Sequence, residues 1–267
     1  LMPLILPGNV ASATAGAYTV ANSCRFNGVN GYFTRTLGTP TNGIAWTFSC
    51  WFKKCAGAVD QCVFTGREDG SNEMILKWDN NFNGYWYEFS GGMKTQKITN
   101  AVYRDPSAWF HFCYTWDSAN GTAEDRQRIY INGVRVTSFS TSVNPTSDYV
   151  PIINSATGHY IGAAGGGTTM EVDGYLAEVI LIDGSALEPT SFGEFDEDSP
   201  TIWKPIDPSG LTFGDNGFWL DFEDSSALGN DVSGNNNDWT VNNIDAADQA
   251  TDTPTNNFCT MNPLDNY

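Results

Sequence analysis

From residue 18 onward the chain is written in short apolar runs separated by turn-forming residues, and no 3.6-residue period persists over three helical turns. In residues 46–53 Trp46, Phe48, Cys50 and Phe52 alternate onto one face. Trp51 lies on the other, so both faces carry bulk and the strand is expected to be central. Residues 109–116, with Trp109, Phe110, Phe112, Tyr114 and Trp116, predict a second central strand. Residues 61–65, 73–78 and 85–89 read as successive hairpin arms, divided by Asp69-Gly70 and by the Asn-rich stretch 80–84. Residues 128–136 predict a hairpin turning on Asn132-Gly133, a pair suited to the positive φ of a tight type I′ turn. Residues 159–162 and 174–182 add two strands, and residues 25–28 and 32–35 read as a short pair bent around Asn30-Gly31. A single helical turn is expected over 188–195. The pattern predicts an all-β domain of two facing layers with an aromatic-rich interior.

The same pattern divides the chain. Residues 1–17 are an extended Ala/Gly/Pro-rich arm, and 18–206 hold the sandwich. Pro3, Pro7 and Gly8 interrupt the apolar start and no basic residues precede it, so it does not read as an export signal. No run approaches the roughly 18 apolar residues of a membrane helix. Residues 207–267 differ in kind, holding eleven Asp or Glu and no Lys or Arg. In that segment residues 217–222 predict one more strand folding back on the sandwich. The rest reads as a linker toward a further module.

Charge narrows the partners. The chain carries 31 acidic and 13 basic residues, a net charge of −18, and nucleic acid is a poor partner because backbone binding needs a basic stripe. Six cysteines (Cys24, Cys50, Cys55, Cys62, Cys113, Cys259) show no C-x₂-C spacing. Cys50 and Cys113 fall inside apolar strands, as reduced cysteines of a chain folded in a reducing cytoplasm would.

Several motifs, in order, resemble the laminin-G-like, concanavalin A-like jelly roll. They are Phe26-Asn27-Gly28 with Tyr32, Trp46 to Trp51, Trp109-Phe110-His111, Ile129 to Gly133, Tyr160-Ile161-Gly162 and Gly174 to Val179. The resemblance implies an antiparallel two-sheet jelly-roll sandwich. More narrowly, the chain is similar to lectin-like repeats of tailed-bacteriophage structural proteins, especially of marine phages. The motifs are Asn22 to Asn27, Arg104 to Trp109, Ile182-Asp183-Gly184, Phe192 to Phe195, Gly217 to Phe222 and Pro254 to Cys259. What this implies is a non-enzymatic virion component, a tail or head fibre or a decoration protein, folded in the host cytoplasm and displayed on the particle. Its partners would be other virion proteins, copies of itself and surface glycans. The alternatives are a carbohydrate-binding adhesin or receptor-binding domain and, further off, a glycoside hydrolase.

Candidate sites follow from both readings. Trp78, Phe82, Tyr85 and Trp86 cluster around Asn-rich turns, where a ring is placed to stack on a sugar or fill an interface or core. Laminin-G-like domains often hold calcium at the rim; Asp69, Asp79, Asp173 and Asp231, with Asn80 and Asn235, lie in turns and are its candidate ligands, although calcium needs six to eight oxygens. The acidic run 194–198 distantly resembles the catalytic strand of the fold's glucanases, yet it lies in a loop and lacks the terminal Glu, so a solvated turn explains it. His111 and His159 read as satisfied strand histidines. The Gly165-Gly166-Gly167 loop precedes no helix and carries no Lys-Ser/Thr, which excludes a phosphate cradle.

Overall fold

A computed structural model of the chain describes residues 18–256; the arm expected over 1–17, and the end of the chain from residue 257 with Cys259, lie outside the described residues. In chain order the strands begin with β1 (Ser23–Asn27), β2 (Tyr32–Thr36), β3 (Ala45–Lys54), β4 (Gln61–Asp69), β5 (Asn72–Trp78) and β6 (Asn83–Ser90). There follow β7 (Met93–Val102), β8 (Phe110–Asp117), β9 (Gln127–Ile131), β10 (Val134–Arg135), β11 (Phe139–Val143) and β12 (Gly158–Ile161). The last are β13 (Asp173–Asp183), β14 (Gly193–Phe195), β15 (Trp203–Pro205), β16 (Phe218–Leu220), β17 (Thr240–Asn242) and β18 (Gln249–Ala250). Sheet A runs β10-β9-β8-β3-β13-β1-β18, with β16 also paired to β13, and sheet B runs β11-β7-β6-β5-β4-β12-β2-β17.

The two sheets face each other across the aromatics that the alternation singles out. Trp46, Phe48, Cys50 and Phe52 of β3 and Phe112, Tyr114 and Trp116 of β8 point inward from sheet A; Phe64, Leu76, Trp78 and Trp86 meet them from sheet B, all fully buried. Packing is edge-to-face where ring quadrupoles favour it, as for Trp78 against Phe112 at 4.9 Å and 77°. The expected hairpin forms between β9 and β10. Asn132 and Gly133 both take positive φ, 48° and 74°. Gly133 also lies under the Trp203 ring, where a Cβ would sit 2.3 Å from it.

Four features differ from the sequence reading. The segments β1 and β2 do not pair with each other: β1 joins β13 and β18 in sheet A, whereas β2 joins β12 and β17 in sheet B, so the Asn30-Gly31 corner carries the chain between layers. A long strand, β7, fills residues between the expected arms; its inward positions Thr95, Lys97 and Thr99 are polar, which hides the alternation. The helical turn over 188–195 is one 3₁₀ turn, Pro189–Ser191, followed by β14, because Gly193 and Phe195 pair with β15. The acidic C-terminal segment is not a linker through residue 256. Its β16, β17 and β18 pair with β13, β2 and β1 respectively.

Along one edge of β13, β1 occupies Asp173 to Leu176 and β16 occupies Val179 to Leu181. Between them the ladder to β3 shifts register, and Glu178 takes φ 49° in the middle of the strand. The bulge lets one long strand serve two successive partners.

Candidate functional site

The two outer faces of the sandwich are unequal. The outer face of sheet A is closed over by the chain itself. Phe192, Phe213, Leu187 and Leu211 cover Cys113, Tyr130, Ile180 and Ile182, while Val20, Tyr18 and Trp203 cover Trp51, Trp109 and Ala177. On sheet B, among the described residues, only the loop around Ala164 and Met170 packs across the outer face, over Cys62 and Ile75, and the described residues leave the remainder open.

Strand register lays the outward residues of sheet B in rows. One row runs Thr34, Tyr160, Thr65, Ile75, Tyr87 and Gln96 across six strands, and beside it lies Cys62, Lys77, Tyr85 and Ile98. Tyr85 and Tyr87, two residues apart on β6, stand on the same side by strand alternation, with ring centroids 5.1 Å apart. Lys77 lies beneath them, its ammonium 4.8 Å from the Tyr85 ring and 5.9 Å from the Tyr87 ring, and it is ion-paired to Asp60. Gln96 donates to the Tyr85 hydroxyl at 2.7 Å. Burial pushes the Tyr87 hydroxyl well up from the usual tyrosine range, and it raises the Glu73 carboxyl nearby. At the other flank Tyr32 and Tyr160 lie 6.2 Å apart against the 165–167 glycine loop and Arg67. The face therefore offers four half-buried tyrosine rings with amide, carboxylate and cationic groups between them. Such a surface stacks flat hydroxylated groups and hydrogen-bonds their edges.

Of the four aromatic candidates, the structure brings Tyr85 to this face and takes two away from it. Trp78 and Trp86 point inward and are fully buried, because alternation on β5 and β6 places them opposite Lys77 and Tyr85. Phe82 is in the turn at the sheet's end, with the Lys54 ammonium 4.5 Å and the Arg104 guanidinium 5.7 Å from its ring. The sequence reading missed Tyr87, Tyr32, Tyr160 and Lys77. The Tyr85-x-Tyr87 spacing was the available signal.

The candidate cation ligands do not converge. Asp69 accepts from the Ser71 amide and Asn72, Asp79 from the Asn81 and Asn83 amides, and Asp231 from the Trp219, Ser233 and Asn237 amides. Asp173 packs against Gly28. Asn80 donates its amide to Asp60, and Asn235 donates its side-chain amide to the carbonyls of Gly214 and Gly217. Among the described residues no group of three His, Cys, Asp or Glu side chains is arranged to hold a metal ion. The thiols of Cys24, Cys50, Cys55, Cys62 and Cys113 are free.

The carboxylates and histidines weighed for catalysis lie away from the open face. Glu194 and Asp196 both reach Lys204, at 3.3 and 3.5 Å, on the exposed β14–β15 flap over sheet A. His111 does have a serine partner: the Ser49 hydroxyl lies 2.8 Å from its Nε2. The pair is buried under Trp51 and Trp203, its Nδ1 has no partner, and burial pushes the imidazole down to about 3. Without an orienting acid or access for a substrate, this is not a catalytic triad. His159 receives the Asn154 amide on Nε2 and donates from Nδ1 to the Thr157 carbonyl, a neutral ring held down at about 4.

Comparison with known proteins agrees with this architecture. Residues 27–190 match the family model of the concanavalin A-like lectin/glucanases superfamily. Among solved structures, a putative carbohydrate binding protein from Bacteroides ovatus superposes with a TM-score of 0.57 at 16% identity, covering 88% of this chain and 60% of that one. The chain thus spans about three fifths of that protein's length. The heptameric SAP-like pentraxin of Limulus polyphemus gives a TM-score of 0.46 at 17% identity, over 64% of this chain and 80% of that one. Domains LG4-5 of the mouse laminin α1 chain give 0.44 at 14%, over 77% and 51%. No curated protein sequence matches the chain. With the family match covering more than half its length, the chain belongs to the concanavalin A-like lectin/glucanases superfamily.

Proposed function

We propose that the chain is a non-catalytic binding domain that holds glycans on the outer face of sheet B, and that it does so as a surface component of a phage particle. The observation that carries the reading is the Tyr85–Tyr87 pair over Lys77, with Gln96 at its edge, on the sheet face that the described residues leave open. Superfamily membership supports the ligand class. A glycan array probed with the full chain tests it: the expected result is a defined set of sugars bound by the wild type and weakened roughly fivefold or more in Tyr87→Ala, since a stacked ring contributes about 1 kcal/mol or more. Uniform binding across the array, or an unchanged profile in Tyr87→Ala, sinks the glycan reading. A hydrolase reading instead expects sugar release that is lost in Glu194→Gln.

The virion role rests on the phage-like sequence motifs, from Arg104 to Trp109 and from Gly217 to Phe222. In that setting the domain packs against copies of itself and neighbouring virion proteins while the open face looks outward. Antibody labelling of purified particles, read by electron microscopy, is expected to decorate fibres or the capsid surface. Unlabelled particles would remove the phage assignment and leave the glycan-binding one standing.

A further inference from the structure

At one end of the sandwich the sheets part. Edge strand β10 of sheet A and edge strand β11 of sheet B are joined only by residues 136–138, and beneath that crossover lies a cavity of about 320 Å³ lined by Lys97, Glu124, Gln127, Arg135, Phe139 and Ser142, among others. Its size is at the lower end of the roughly 300–1,000 Å³ usual for small-molecule sites. It lies on the inward side of sheet B, away from the tyrosine face.

Lys97 sets its chemistry. The side chain points inward from β7, and the residue is only 3% exposed. Its ammonium donates to the Ser142 hydroxyl and the Asn144 carboxamide, each at 2.7 Å, and lies 4.9 Å from the Phe139 ring centroid. All three partners are neutral, and among the described residues no carboxylate is within ion-pair distance of it. A buried ammonium is costly without an opposite charge, and burial accordingly lowers its affinity for the proton, with Arg135 adding to that and Glu124 opposing it. Arg135 lines the same cavity; it is held by Asp125 and the Glu124 carbonyl and keeps further N–H groups. Gln127 is committed to Tyr114 and the Val143 carbonyl. The cavity thus holds more donors than acceptors on its inner wall, an aromatic ring on one side and an exposed acceptor, Glu124, at its rim.

We propose that this sheet-edge cavity is a second ligand site, taking a small hydroxylated carboxylate of monosaccharide size whose carboxylate supplies the counter-charge that Lys97 lacks. The ring of the ligand lies along Phe139, and its hydroxyls meet Ser142 and Glu124. The site is independent of the tyrosine face and stands whether or not that face binds glycans.

Sodium D-glucuronate, titrated into the full chain and followed by amide chemical shifts and calorimetry, tests the assignment, with neutral D-glucose as the control. The expected result is saturable binding with shifts centred on Lys97, Phe139 and Ser142, and glucose weaker by roughly tenfold or more because the charge-assisted bonds are lost. Lys97→Met keeps the aliphatic stem and removes the charge; it is expected to lose the preference for glucuronate. Ser142→Leu, at an exposed edge position, fills the mouth, removes one of the two hydrogen-bond acceptors of Lys97, and is expected to abolish binding. Tyr87→Ala is expected to leave it unchanged. Absence of glucuronate binding, equal affinity for glucose, or shifts confined to the tyrosine face overturns the proposal.

Discussion

Glu88 projects inward from β6, is fully buried, and makes no ion pair among the described residues; the Tyr149 hydroxyl and the Ile152 amide donate to it. Burial outweighs those two hydrogen bonds and pushes its carboxyl up to about 7. Glu178, at the β13 bulge under Tyr18 and Trp219, is pushed up to about 8 for the same reason. In the unfolded chain both titrate near 4.5. A carboxyl that holds its proton more tightly when folded contributes stability that is complete below the unfolded value and is lost as pH rises through the folded one. Between pH 5 and 8 Glu88 alone should cost roughly 2 to 3 kcal/mol. Urea denaturation at the two pH values checks this: the wild type is expected to weaken toward pH 8, and Glu88→Gln to weaken less by about that amount. An equal decline in the variant would show that Glu88 is ionised at no cost.

The β14–β15 flap shows how one short element sets the chemistry beneath it. Trp203 covers Trp51 and Trp109 and stacks on His111 at 5.9 Å, and Phe195 meets its edge at 4.9 Å. Replacing Trp203 with Ala removes this lid, so the His111 imidazole should rise from about 3 toward the ordinary histidine range as water reaches it. Imidazole proton shifts followed by NMR from pH 3 to 8 read that rise directly, and the fold should lose about 3 kcal/mol or more for a buried tryptophan. An unmoved His111 would mean that the sheet alone desolvates it. Such lids are where the sequence says least. Alternation in β3 and β8 announced central strands because both faces carry bulk, and Asn132-Gly133 announced its turn because few other pairs tolerate two positive φ values. That β1 and β2 belong to different layers depends on partners more than a hundred residues away. Which tyrosines are exposed depends on which outer face the segment 187–220 happens to cover. Tyr85 was legible only as one of four aromatic candidates; Trp78 and Trp86 were not separable from it by composition, since only the sheet's orientation decides that they turn inward.

Across the whole molecule these groups pull in opposite directions. His111 and His159 are held neutral by burial, so the stability they contribute is present above about 6.5, the unfolded value, and is lost as pH falls toward their folded values of about 3 and 4. Glu88 and Glu178 act from the other side, losing their contribution above 4.5 and through 7 to 8. The molecule's net charge of −18, with eleven acids and no base after residue 206, adds self-repulsion that grows as carboxyls ionise. The stability maximum is therefore expected below neutrality, near pH 5 to 6.5. Salt separates the two causes on the alkaline side. Raising sodium chloride from 0.01 to 0.5 M shortens the screening length from about 30 Å to only a few ångströms, which relieves repulsion between surface carboxylates but does not reach an acid sealed in the core. At pH 8, thermal melts should shift upward with salt by about 2 to 3 °C, on the order of 1 kcal/mol, in the wild type and in Glu88→Gln alike. The gap between the two proteins should persist at high salt. If salt closed that gap, Glu88 would be responding to the general field of the molecule, and its burial between the sheets would not be what shifts it.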